Sequence, residues 1–199
     1  MSAHKGLPVL AFASQAAWEA WLAEHGGAHP GVWMKLAKKS ASAAGISKAQ
    51  AIESALCHGW IDGQIDRFDE QFWLTRFTPR GPRSKWSEIN VATAERLLGE
   101  GRMAPAGRAE IERAKADGRW KAAYAPQSKA EIPADLQAAL DAEPAAKAFF
   151  ATLKGANRYA VLYRIHDAKT PKTRQTRIEK YVSMLARGET LHPAKRPSG

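Results

Sequence analysis

The chain has 199 residues, 45% of them hydrophobic and seven of them tryptophan, which is enough for one packed core or two small ones and excludes global disorder. Its formal net charge of +10 points to anionic partners (nucleic acid, phosphorylated metabolites, an acidic membrane surface) or to a basic, well-solvated exterior. The one cysteine excludes an internal disulfide and fits a reducing cytoplasm. No apolar run approaches the ~20 residues of a membrane helix, so an integral membrane protein is excluded, and residues 1–12 lack the apolar core expected of a secretory signal.

Leu7 to Phe12 is short and apolar, and Pro8 suits it to a sheet edge. Ser14 is placed to cap a helix whose Trp18, Trp21 and Leu22 share one face, and Gly26 and Gly27 end it. Val32, Met34 and Leu36 alternate with Trp33 and Lys35, the pattern of a strand with one buried face. Residues 40–45 read as a small-residue loop. Ser47 with Gln50 has capping-box spacing, opening a helix through Ile52, Ala55 and Leu56 that Gly59 stops. From Trp60 the period becomes two, with Ile61 and Ile65 on one side and Trp60, Asp62, Gln64 and Asp66 on the other. A reversal at Asp69–Glu70 leads into a second strand, Phe72 to Thr78, and a tight turn there sets Ile65 opposite Leu74 and Asp66 opposite Trp73.

After Pro79 the pattern turns helical. Ser84 or Ser87 caps a helix to Leu98, Pro105 opens one ended by Gly118, and Pro133 opens another through Leu136 and Leu140. Pro144 opens a helix through Phe149, Phe150 and Leu153 that Gly155 closes. Tyr159, Leu162, Tyr163 and His166 mark the next, and Thr170–Pro171 begins the last, with Ile178, Tyr181, Val182 and Leu185 along it. Strands followed by helices predict an α+β fold: a small antiparallel sheet with packed helices over residues 1–99, then an all-helical half over 100–188 packed on it, with a soft boundary at Gly99 to Gly107 and a frayed tail from 189 to 199.

Four stretches carry a resemblance to a known family. They are Trp18, Trp21 and Leu22 in W-x-x-W-L, ALCHGWIDG from Ala55 to Gly63, RFTPRGPRSKWSEIN from Arg76 to Asn90, and AKTPKTRQTRI from Ala168 to Ile178; DGRW from Asp117 to Trp120 agrees with them. On these the chain resembles the YdeI/OmpD-associated, or bacteriocin-protection, family. The resemblance implies a cytoplasmic stress factor in bacterial tolerance of cationic antimicrobial peptides and bacteriocins, with an outer-membrane porin as partner. It brings no catalytic motif and no cofactor.

Arg76, Arg80, Arg83 and Lys85 fall within ten residues with no acid among them. Arg83 and Lys85 lie near a helix N-terminus, where the dipole is already positive, and free N–H groups with arginine forks there make an anion site. The expected ligand-binding residues are Arg76, Arg80, Arg83, Ser84, Trp86, Ser87 and Asn90, with Trp60 and Gln64 on the neighbouring strand. The alternative is internal pairing of these cations with Asp62, Asp66 or Glu88. Residues 154–199 hold eleven Lys/Arg and three Asp/Glu, a net of +8. Arg174 and Arg177 converge on Arg80 if the last helix packs back on the sheet. The other readings of that basic segment are a solvated face, an acidic protein partner, an anionic lipid, or non-specific nucleic-acid binding along the phosphate backbone.

Catalytic signals are weaker. Cys57 and His58 are neighbours, which on a helix point about 100° apart and so form no simple dyad. Near a helix C-terminus Cys57 also lacks the field that lowers a thiol pKa and is expected to be a structural residue. His58 with Asp62 makes an acid–base pair only if the Gly59 turn folds the strand back, giving an alternative enzyme acting on a small anionic substrate. His25 and His29 are four apart but Gly26 and Gly27 interrupt them, and His4, His166 and His192 are scattered, so no metal site is expected. Phosphate-loop, dinucleotide and G-x-S-x-G patterns are missing from the sequence.

Overall fold

A computed structural model describes residues 3–39 and 45–192. Most of the loop expected at 40–45 and the end of the tail, from 193, lie outside the described residues. The chain forms two compact units, Met1–Ala123 and Tyr124–Gly199. The fold is α+β, with the sheet in the first unit and helices only among the described elements of the second.

The sheet has five strands: β1 (Ala3–His4), β2 (Leu7–Leu10), β3 (Val32–Ala37), β4 (Trp60–Arg67) and β5 (Phe72–Pro79), in the order β1-β2-β3-β5-β4. It is mixed rather than antiparallel, because β2 and β3 run parallel. Helix α1 (Gln15–His25) lies between them in sequence and supplies the crossover that parallel neighbours require. Lys5 and Gly6 both have positive φ and join β1 to β2 in a two-residue turn that the sequence reading did not anticipate. Pro8 is therefore one strand in from the edge, opposite Ala3 of the two-residue β1.

The hairpin register follows the expectation only in its first half. Trp60, Ile61 and Asp62 oppose Pro79, Thr78 and Phe77, as a tight turn requires. Beyond them Ile65 opposes Thr75, Asp66 opposes Leu74 and Arg67 opposes Trp73, one residue off the predicted pairs. A bulge between Asp62 and Ile65 causes the slip: Gly63 and Gln64 together face Arg76. The extra residue is recovered at the turn, where Asp69 accepts from the N–H groups of Gln71 and Phe72 at 2.8 and 2.7 Å.

Local signals set the helices. Ser14 accepts from Ala17 N–H at 3.2 Å at the start of α1. Ser47 and Gln50 close a capping box on α2 (Lys48–Cys57), and Ser87, not Ser84, caps α3 (Glu88–Gly99) through Asn90 N–H at 3.1 Å. One sheet face packs on α1 and α2 through Trp18, Leu22, Val32, Met34, Leu36, Trp60 and Phe77. Trp60 belongs to this core, with its indole N–H donating to Gly26 O at 3.1 Å, and does not lie on a polar face. A second core joins α2 and α3 to α4 (Pro105–Ala116) through Leu56, Cys57, Trp86, Leu97 and Ile111. For that reason α4 belongs to the first unit, past the boundary expected near Gly99 to Gly107. Gly107 makes the approach possible: a Cβ there would sit 2.2 Å from Cys57 O.

The second unit has α5 (Ala134–Asp141), α6 (Pro144–Thr152), α7 (Gly155–His166) and α8 (Pro171–Ala186) around Leu136, Phe150, Ile165, Tyr181 and Leu185. Gly155 opens α7 with φ +54 rather than closing α6, which ends at Thr152 with Leu153 as its cap. Thr170 caps α8, accepting from Thr173 N–H at 3.1 Å.

Candidate anion site on the open face of the sheet

Among the described residues the other face of the sheet belongs to none of these helix-packed cores, and alternation assigns its residues: Val9, Trp33, Lys35, Leu74, Arg76, Thr78, Ile61 and Asp66. Trp33 is 1% exposed and Leu74 0%, so β3 at Trp33 and β5 at Leu74 are buried on this face too, and β3 is not buried on one face only. His4 and Lys5, at the β1–β2 turn, lie against Trp33. The His4 ring meets Trp33 edge-on at 4.8 Å, and Lys5 Nζ lies 5.6 Å from the indole centroid. Both residues reach Asp66 on β4, His4 Nε2 at 3.0 Å and Lys5 Nζ at 2.7 Å. Those hydrogen bonds, Lys5 first, hold the Asp66 carboxyl down at about 2.

Arg76 lies directly opposite Trp33 on β3 and opposite the Gly63–Gln64 bulge on β4. It is half-buried, its Nε is fully enclosed, and among the described residues it makes no hydrogen bond or ion pair. The nearby acids are engaged elsewhere: Asp66 with His4 and Lys5, and Asp62 with Lys48 of α2 at 3.7 Å. Trp33 Nε1 is likewise enclosed, with no hydrogen-bond acceptor among the described residues. One face thus presents a guanidinium and an indole N–H with no acceptor, where buried donors are normally satisfied. A Cβ on Gly63 would have only Arg76 O nearby, at 3.8 Å.

The cationic loop is built differently. Arg80 is 4% exposed, its guanidinium stacks 3.7 Å from the Trp86 ring centroid, and its Nη1 donates to Lys85 O at 3.1 Å. Ser84 accepts from Gly81 N–H at 3.0 Å, and its carbonyl receives Arg119 at 2.8 Å. Trp86 packs against Trp120 at 4.7 Å. Arg80, Ser84 and Trp86 are therefore brought together as a fastening of the loop, and Ser87 and Asn90 as a helix cap. Arg83 is exposed, and Gln64 is exposed at the bulge facing Arg76. In the second unit Arg174 forms a two-point pair with Asp135, at 2.5 and 2.9 Å, and donates to Ile165 O at 3.0 Å. Arg177 donates to Arg164 O and lies 3.9 Å from Asp167.

His58 and Asp62 are joined by no hydrogen bond or ion pair. Burial pushes the His58 imidazole down and the Cys57 thiol up, and Glu19 opposes the first effect. Among the described residues no group of three or more His, Cys, Asp or Glu is placed to hold a metal. His25 and His29 instead flank Trp21, each with its ring centroid 5.0 Å away. No helix among the described residues is long and apolar enough to cross a membrane.

Residues 10–110, just over half of the chain, match the family described as a domain of unknown function, DUF8412. The chain belongs to that family. Residues 129–188 match the family described as Bacteriocin-protection, YdeI or OmpD-Associated, and the resemblance to that family holds there. AKTPKTRQTRI lies in the second match, while the other three stretches that carried the resemblance lie in the first. Arg76, Trp33, Gly63 and Gln64 all fall within the DUF8412 region. No curated protein and no solved structure matches the chain.

Trp33, His4, Lys5 and Gly63 were missed as site residues. Gly63, an isolated glycine in an alternating strand, was the available signal for a bulge. The positive-φ turn at Lys5–Gly6 had only its glycine to mark it.

Proposed function

We propose that this protein acts by binding a small anion on the open face of its sheet, and that Arg76 is the residue that holds it. The observation that carries the reading is the Arg76 guanidinium, half-buried, with Nε enclosed and no acceptor among the described residues, beside the equally unmatched Trp33 indole N–H. An anion supplies what both lack, through charge-assisted bonds that are stronger than neutral ones. On this reading the ligand lies on the strand before the cationic loop, whose Arg80 stacks on Trp86 and donates to Lys85 O. Binding is favoured over catalysis because the one acid–base pair suggested by sequence, His58 with Asp62, does not form.

The test is thermal melting of the full chain across chloride, acetate, phosphate and sulfate at constant ionic strength. Stabilisation by at least one anion, lost in Arg76→Gln, is the expected result; a melting temperature unchanged across the panel overturns the reading.

The match of residues 129–188 to the family described as Bacteriocin-protection, YdeI or OmpD-Associated supports a setting in bacteriocin protection; a cytoplasmic location, tolerance of cationic peptides and an outer-membrane porin partner are part of the same proposal. Peptide susceptibility of a deletion strain complemented with the parent chain or Arg76→Gln tests it. Parent-only rescue supports a role for the anion site, and equal rescue removes it.

A further inference from the structure

The same face narrows the class of anion, an inference that rests on the reading just given. Its charges nearly cancel. Lys5 and His4 are taken by Asp66, and Lys35 lies 3.9 Å from Asp69 with its ammonium 4.0 Å from the Phe72 ring centroid. Among the described residues Arg76 is left as the cation without a counter-charge on this face, and Trp33 contributes a donor without charge. A single guanidinium balances one negative charge. A phosphate or sulfate dianion would bring a second charge into a half-buried place where no free cation stands to meet it, at a desolvation cost.

Shape and surroundings agree. The planar guanidinium fork matches the two oxygens of a carboxylate, and one indole N–H suits one remaining lone pair. Around Arg76 the face is otherwise apolar and partly open. Val9 stands opposite Trp33 and is half-buried, Ile61 and Thr78 oppose each other and are half-buried, and Leu7 lies near Thr78 around Gly31. At the bulge a Cβ on Gly63 would meet only Arg76 O, at 3.8 Å. We infer that the ligand is a monocarboxylate with a small apolar or aromatic body, its carboxylate on Arg76 and Trp33 Nε1 and its body against Val9, Ile61 and the bulge.

The experiment uses the full chain labelled with nitrogen-15, titrated with acetate, butyrate, benzoate, phosphate and sulfate at fixed pH and ionic strength. The indole N–H signal of Trp33, assigned by its loss in Trp33→Phe, reports binding at the site, and melting temperature reports stabilisation. Butyrate should bind about 10-fold more tightly than acetate, the effect of burying two methylenes, and benzoate at least as tightly. Each should move the Trp33 signal in the parent and leave it unmoved in Arg76→Gln, while Arg76→Lys, which keeps the charge but loses the fork, should bind more weakly. Arg76-dependent binding of phosphate or sulfate with the carboxylates inert overturns the monocarboxylate class and leaves the anion site standing. Equal affinity for acetate, butyrate and benzoate overturns the apolar part. No Arg76-dependent response to any of the five overturns both inferences.

Discussion

Lys5 Nζ stands 2.7 Å from Asp66 Oδ2, although β2, β3 and β5 lie between β1 and β4 in the sheet. His4 and Lys5 thus link the β1 side of the sheet to β4 while lying against Trp33.

This latch gives a pH signature. Asp66 titrates at about 2 in the fold against an ordinary value of 3.8, so its contribution to stability is present above 3.8 and is lost as pH falls through about 2. Asp66→Asn should melt below the parent at neutral pH, and the gap should close in the acid range between those values. Because the pair is exposed, added salt should also shrink the gap. A gap that persists undiminished at pH 2 would contradict the latch.

Arg76 within β5 and Arg80 just beyond it should respond oppositely to removal. Arg80→Ala deletes the stacking on Trp86 and the bond to Lys85 O, at an expected loss of about 2–3 kcal/mol. Arg76→Met removes a half-buried charge with no counter-ion, and without a bound anion its stability should stay within about 0.5 kcal/mol of the parent or exceed it. Chemical denaturation of both variants in chloride-only buffer makes the comparison.

Gly107→Ala should destabilise although alanine is the better helix former by about 1 kcal/mol. The new methyl would lie 2.2 Å from Cys57 O, a backbone atom that already accepts Ala104 N–H at 3.1 Å and has little freedom to retreat. Overpacking of this kind costs about 1–3 kcal/mol, and the close backbone contact places the net change on the unfavourable side. Gly99→Ala, with nothing within 4 Å of the added carbon, is the control and should be neutral or stabilising.

Cys57 should be slow to alkylate in the native protein and fast in denaturant, by on the order of 10-fold or more at mildly alkaline pH. It is buried, and burial raises its thiol above the ordinary 9.0. The raised value favours the fold below pH 9.0 and ceases to do so as pH rises through the native value, so alkaline stability should fall less in Cys57→Ala.

What the sequence made legible was local. Ser14, the Ser47–Gln50 pair, Ser87 and Thr170 each satisfy N–H groups within a few residues, so their helices could be placed from spacing alone. What it hid was decided across distance. The parallel pairing of β2 and β3, the contact of Trp33 with residues of the first turn, and the commitment of Arg80 to Trp86 depend on contacts that no spacing rule contains. The site was legible in part: Arg76 and Gln64 were both named, but their meeting depends on a bulge that a strict period of two leaves out.

The division of the chain has a historical consequence. The clustered cores on the sheet side draw on residues no later than Ala123, and the helical core draws on residues from Ala130 onward. The two family matches respect the same gap, ending at 110 and resuming at 129. A recombination event between them would cut no clustered core and would leave Arg76, Trp33 and the bulge on one side. The sheet that carries Arg76 and the basic helical bundle therefore each keep their own clustered core.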